Sequence, residues 1–140
     1  MCYARTDLGR QYESFSIDDG ENWSQPEPSS LSSSCSTAII HRAPNCRTLV
    51  AVWNSVPNYI TLGQDNLSIR QRLICAFSDD AGAHWNEPIL IEDNHAYEFS
   101  HPALFIGQDY LLVSYNCMSA LHSRSFAIRV RRLPLPFALS

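Results

Sequence analysis

Apolar and polar positions in this 140-residue chain follow the short periods of strands, and no window longer than about ten residues keeps a helical period. Thr48–Trp53 and Tyr110–Tyr115 are near-continuous apolar runs rich in β-branched and aromatic residues. Such runs are expected as strands covered on both faces. Gln11–Phe15, Arg72–Phe77 and Pro88–Ile91 read as further strands, as do Ala38–His41 and Pro102–Ile106. Near the end, Phe126, Ile128 and Val130 alternate with Ala127, Arg129 and Arg131, the pattern of a half-exposed strand. The serine-rich Ser29–Ser34 reads as a flexible loop. Asn54 to Ser68, broken by Pro57 and Gly63, reads as a surface excursion. Prolines at 134 and 136 make the tail from Leu133 a poor continuation of a paired strand.

Two of these strands run directly into the same eight-residue pattern. Ser16-Ile-Asp18-Asp-Gly20-Glu-Asn-Trp23 and Ser78-Asp-Asp80-Ala-Gly82-Ala-His-Trp85 both read Ser-x-Asp-x-Gly-x-x-Trp, start 62 residues apart, and are followed by Pro26 and Pro88. Each fixed type has a task in a tight turn. Gly20 and Gly82 accept a positive φ at little steric cost. Asp18 and Asp80 fold their carboxylates onto backbone N–H groups. Trp23 and Trp85 are expected to pack inward and anchor the turn. Self-similarity at this period marks a repeated supersecondary unit.

Composition is that of an ordinary globular chain, 45% hydrophobic and 17% charged. No stretch approaches the ~20 apolar residues of a membrane span. A net charge of −4 disfavours nonspecific nucleic-acid binding. Met1–Asp7 lacks the basic-then-apolar layout of a secretory signal, so a cytoplasmic location is the default expectation. Five cysteines without a C-x-x-C favour free thiols over a disulfide framework or a zinc site, and no metal or other cofactor is expected. All ten basic residues other than histidine are arginine. Only position can single out a functional one among them.

The repeated pattern resembles the Asp-box of the sialidase-type β-propellers, the bacterial neuraminidase repeat, which closes the hairpin between the third and fourth strands of a blade. Non-enzymatic propellers, including sortilin-like receptors, also carry it. The resemblance implies an all-β fold: about two to three four-stranded blades of a six-bladed propeller, with blade parts at 2–28, 37–92 and 98–133 and a Pro-rich tail at 134–140. A six-bladed ring needs well over twice this length, so the chain is expected to correspond to a C-terminal portion. Its open blade edges are expected to favour self-association.

The resemblance extends to the chemistry. Tyr3–Arg10 is similar to the family segment in which an arginine precedes an Asp-box strand, and Arg72 falls where another arginine is placed. Sialidases hold the carboxylate of sialic acid with three arginines through bidentate hydrogen bonds. They attack with a tyrosine instead of a carboxylate. Arg5 and Arg72 are therefore the expected carboxylate ligands, with surface or turn roles as the alternative and Arg70 as the rival to Arg72. Glu98–Ala103 resembles the nucleophile stretch, but the family tyrosine falls on Phe99, which has no hydroxyl. Tyr97, two residues upstream, is the remaining catalytic candidate, against a plain core or loop aromatic. The implied ligand is a sialylated or other acidic glycan, and the isolated chain is expected to be inactive. A non-catalytic binding or scaffold propeller is the alternative. His84 and His101 read as structural, the Asp pairs as turn residues, and Ser36, Ser100 and Ser114 lack a nucleophile context.

Overall fold

The computed structural model describes residues 1–44, 46–56, 69–119 and 126–135. Most of the Asn54–Ser68 excursion and the tail from residue 136 lie outside them. The described residues form three antiparallel sheets and no helix. The first sheet is β1 (Cys2–Ala4), β2 (Arg10–Ser14) and β3 (Glu27–Ser32). The second is β4 (Ile39–Arg42), β5 (Leu49–Asn54), β6 (Arg72–Ser78) and β7 (Ile89–Asp93). The third is β8 (Tyr97–Ile106), β9 (Tyr110–Ser119) and β10 (Phe126–Pro134). Each sheet is a meander in chain order, which makes the protein a partial β-propeller; among the described residues its three blades have three, four and three strands.

Alternation decides the packing between blades. On the second blade, Val50, Val52, Leu73, Cys75 and Phe77 face the third blade. There they meet Phe99, Leu104, Leu111, Val113 and Tyr115 in the main core. The other face of the same strands, Ala51, Trp53, Ile74 and Ala76, packs on Leu31 and Tyr3 of the first blade. Apolar residues thus occupy both faces of β5 and β6, which is why these strands read as continuous runs.

Three expectations are corrected. Ser29–Ser34 is not a flexible loop, because β3 runs through Ser32 and the following serines are buried. The amide of Gln11 donates to Ser33 Oγ at 2.7 Å and to the Ser36 carbonyl at 2.8 Å, so a polar network takes the place of a core there. The first blade therefore extends past residue 28. At the other end, Leu133 and Pro134 remain paired, with Leu111 and Tyr110. Pro134 closes an edge strand, where its missing N–H removes no ladder bond that the sheet needs.

The third correction concerns β10, whose alternation is inverted. Phe126, Ile128 and Val130 are 61–69% exposed, whereas Arg129 on the opposite face is half-buried. The arginine face turns inward toward Glu92, with Arg129 Nη1 at 3.2 Å and Arg131 Nη2 at 3.5 Å from its Oε1.

Candidate functional site

The two Asp-boxes close β2–β3 and β6–β7 with the same bonds. Ser16 Oγ donates to Asp18 Oδ1 and accepts from the Gly20 N–H, both at 2.8 Å. Asp18 Oδ1 accepts the Asn22 N–H at 2.9 Å, and Oδ2 accepts the Asn22 side-chain amide at 2.7 Å. In the second copy Ser78, Asp80, Gly82 and His84 take these parts, each bond at 2.9 Å except His84 Nδ1 to Asp80 Oδ2, at 2.6 Å. Gly20 and Gly82 both have φ of 95°, preceded by Asp19 and Ala81 at 55° and 62°. The His84 backbone N–H, then its ring, hold the Asp80 carboxyl down at about 2. The Asn22 side chain likewise lowers Asp18.

Only the second box is packed. Trp85 lies 6.3 Å from Trp53, ring centre to ring centre, and a Cβ on Gly82 would stand 2.8 Å from the Tyr3 hydroxyl of the first blade. Trp23, by contrast, is 49% exposed and bends back to donate to the Gly20 carbonyl at 2.9 Å. Inward packing therefore holds for Trp85 and fails for Trp23, which has no neighbouring blade to pack against among the described residues.

Between the first and second blades runs a groove of about 580 Å³, within the usual range for small ligands. Ser30–Ser32 of β3 form one wall. Trp53, Arg72, Ile74, Trp85 and Glu87 form much of the other. Arg72 is here by parity, since residues 72, 74 and 76 of β6 share the face turned to the first blade. The Nε of Arg72 and the Nε1 of Trp85 are both buried with no hydrogen-bond partner among the described residues. Buried donors of this kind are costly unless something accepts from them. A carboxylate is the natural acceptor for the Nε edge of a guanidinium.

The other expected site residues lie elsewhere. Arg5 is exposed in the β1–β2 connection and does not line the groove. Arg70 donates from Nη2 to the Cys35 carbonyl at 3.1 Å, a bond between the first two blades. Phe99 is fully buried, edge-on to Tyr115 with ring centres 5.8 Å apart. Tyr97 is half-buried beneath the Arg129 guanidinium, 5.2 Å from its ring centre. Neither aromatic lines the groove that holds Arg72.

Two features escape a reading by motif alone. The 62-residue offset between boxes also maps Arg10 onto Arg72, the first residues of β2 and β6. That signal was present in the repeat itself. The second feature is a buried cluster at the seam of the second and third blades. There Tyr115 Oη donates to Glu92 Oε1 at 2.5 Å, beside Arg129 and Arg131. Burial first, then the hydrogen bond to Glu92, pushes the Tyr115 hydroxyl up to about 12. The bond joins β9 of the third blade to β7 of the second, so the cluster is a polar contact across their seam.

Compared with known families, residues 1–113 match a family model described as a BNR repeat-like domain. No curated protein and no solved structure matches the chain.

Proposed function

Because the chain belongs to the family of BNR repeat-like domains, we propose that it is a sialidase-related propeller module that binds an acidic glycan without hydrolysing it. The single observation that carries this reading is Arg72, which lines the groove with Trp85, each carrying a buried side-chain N–H without a partner among the described residues. A sugar carboxylate satisfies the guanidinium edge. The indole rings offer an apolar surface to the ring face of the sugar and an N–H to one of its oxygens. Hydrolysis has no support in the aromatics of the nucleophile stretch: Phe99 lacks a hydroxyl and is sealed in the core, and Tyr97 packs under Arg129.

The test is calorimetric titration of the purified chain with sialyllactose, using lactose as the neutral control. Binding of the acidic sugar alone, weakened at least about tenfold in Arg72→Ala, is the expected result. A fluorogenic sialoside should be left intact. Turnover that disappears in Arg72→Ala would overturn the non-catalytic part of the proposal, and equal binding of lactose would overturn the role of the carboxylate. The place of Phe99 favours one other reading, a scaffold propeller with no sugar ligand, and a folded chain that binds neither sugar would select it.

A further inference from the structure

The two Asp-boxes differ in the residue that holds the second carboxylate oxygen, Asn22 in the first and His84 in the second. We propose that His84 is a further ligand-binding residue of the groove, which assists Arg72 in holding the acidic group when its ring is protonated, so that ligand and proton bind together. This rests on the acidic-glycan reading and adds a pH dependence to it.

Within the box, Asn22 and His84 do the same structural work. Each donates its backbone N–H and one side-chain N–H to the aspartate of its own turn. An ionised carboxylate only accepts, so His84 Nδ1 carries the hydrogen of its 2.6 Å bond to Asp80. A neutral ring then has a bare lone pair at Nε2, for which no bond is found among the described residues. Protonation turns Nε2 into a donor and adds a positive charge. Histidine undergoes that change between about pH 5 and 8, whereas the amide of asparagine never does. The box thus needs only what Asn22 supplies, and the second ring nitrogen of His84 is left over.

Position gives that nitrogen a use. His84 belongs to the run Ala83–Pro88 that lines the groove, beside Trp85, and its side chain is 90% exposed. Arg72 and Glu87 are the other charged residues lining the groove, and the facing wall of the first blade, Ser30–Ser32, is uncharged. On its own turn, Asp80 is bonded to the ring and Asp79 to the Thr48 hydroxyl. Tyr3 of the first blade approaches the turn at Gly82, and burial first, then Glu13, raises its phenol far above its ordinary value. Arginine stays charged throughout, and ordinary carboxylates stay ionised above about pH 5. Between about pH 5.5 and 8.5, His84 is therefore the group of this set that changes charge. While its ring is neutral, an acidic ligand meets Arg72 against the charges of Asp80 and Glu87. A protonated ring cancels the charge of Asp80. Affinity is thus highest below the titration of the imidazole and falls as pH rises through it. One unit charge a few ångströms away across water alters affinity about threefold or more.

Calorimetric titration of the purified chain with sialyllactose should give binding at least about threefold tighter at about pH 5.5 than at about pH 8.5. Heats measured in buffers of different ionisation enthalpy should show a proton taken up with the ligand. His84→Asn, which copies the first box, should keep the melting temperature and take up no proton. It should bind at the lower pH only as tightly as the unaltered chain does at the higher. Should this variant fail to fold, the shift of the His84 ring signal on adding sialyllactose to the unaltered chain decides instead, and an unmoved signal would count against the proposal. Affinity that drops in Arg72→Ala but is the same at both pH values would overturn the role of His84 and leave the acidic-glycan reading standing. So would a pH profile that His84→Asn leaves unchanged. Absence of sialyllactose binding at both pH values would overturn the two together.

Discussion

Gly20 and Gly82 share one φ and one set of bonds, yet they differ in what surrounds them. A Cβ on Gly20 meets only Trp23 at 3.8 Å, whereas one on Gly82 meets the Tyr3 hydroxyl at 2.8 Å. Both Gly→Ala changes carry the left-handed backbone cost of about 1–2 kcal/mol. Gly82→Ala adds the displacement of Tyr3, so its loss in chemical denaturation should exceed that of Gly20→Ala by about 1 kcal/mol or more. Equal losses would mean that the seam between blades yields freely. Ala81 sits at φ 62° where the first copy has Asp19. Ala81→Asn should therefore stabilise by about 0.5–1 kcal/mol, because asparagine tolerates this region. The carboxyls add a pH term. Asp80 and Asp18 are lowered in the fold, so their contribution is complete above the ordinary carboxylate pKa near 4 and is lost as pH falls through the folded value. Asp80→Asn should flatten acid unfolding between about pH 4 and pH 2, measured by melting at successive pH values.

At the level of the element, a bulge explains what the alternation concealed. In β7, Ile89 pairs with Cys75 and Leu90 with Ile74, but Leu73 pairs with Glu92, so Ile91 is the extra residue. Simple alternation puts Glu92 on the face of Leu90. The bulge returns it to the face of Ile89, against Tyr115 of the third blade. No strand pattern announces a one-residue insertion, and the cluster was therefore illegible in the sequence. The strands themselves, the box hairpins and the two-sided burial of β5 were legible because they rest on local residue types. β3 was missed because Leu31 is its one buried apolar residue, while the other buried position, Ser29, is satisfied by a hydrogen bond to the Gln11 carbonyl. Tyr115→Phe should cost about 1 kcal/mol. Glu92→Ala should cost more, about 2–3 kcal/mol, because it strands the buried phenol and releases both arginines. The double variant should lose less than the sum, which equilibrium unfolding of the cycle measures directly.

Across the whole molecule, the groove and the seams are products of stacking, which explains why Arg72 was legible as a candidate and Arg5 was not placed with it. Parity on β6 fixes which blade Arg72 faces, whereas the β1–β2 connection that carries Arg5 obeys no period. The pair of boxes has one more consequence, this time for opening fluctuations. The amide protons of Gly20 and Gly82 are both held by a serine Oγ of their own box, at 2.8 and 2.9 Å. Local bonding is therefore the same at both, and only the second is roofed by a neighbouring blade. Their rates of exchange with heavy water should differ, slower at Gly82, with the ratio reporting the free energy of prising the first two blades apart. One molecule thus contains its own reference amide for the strength of a blade seam.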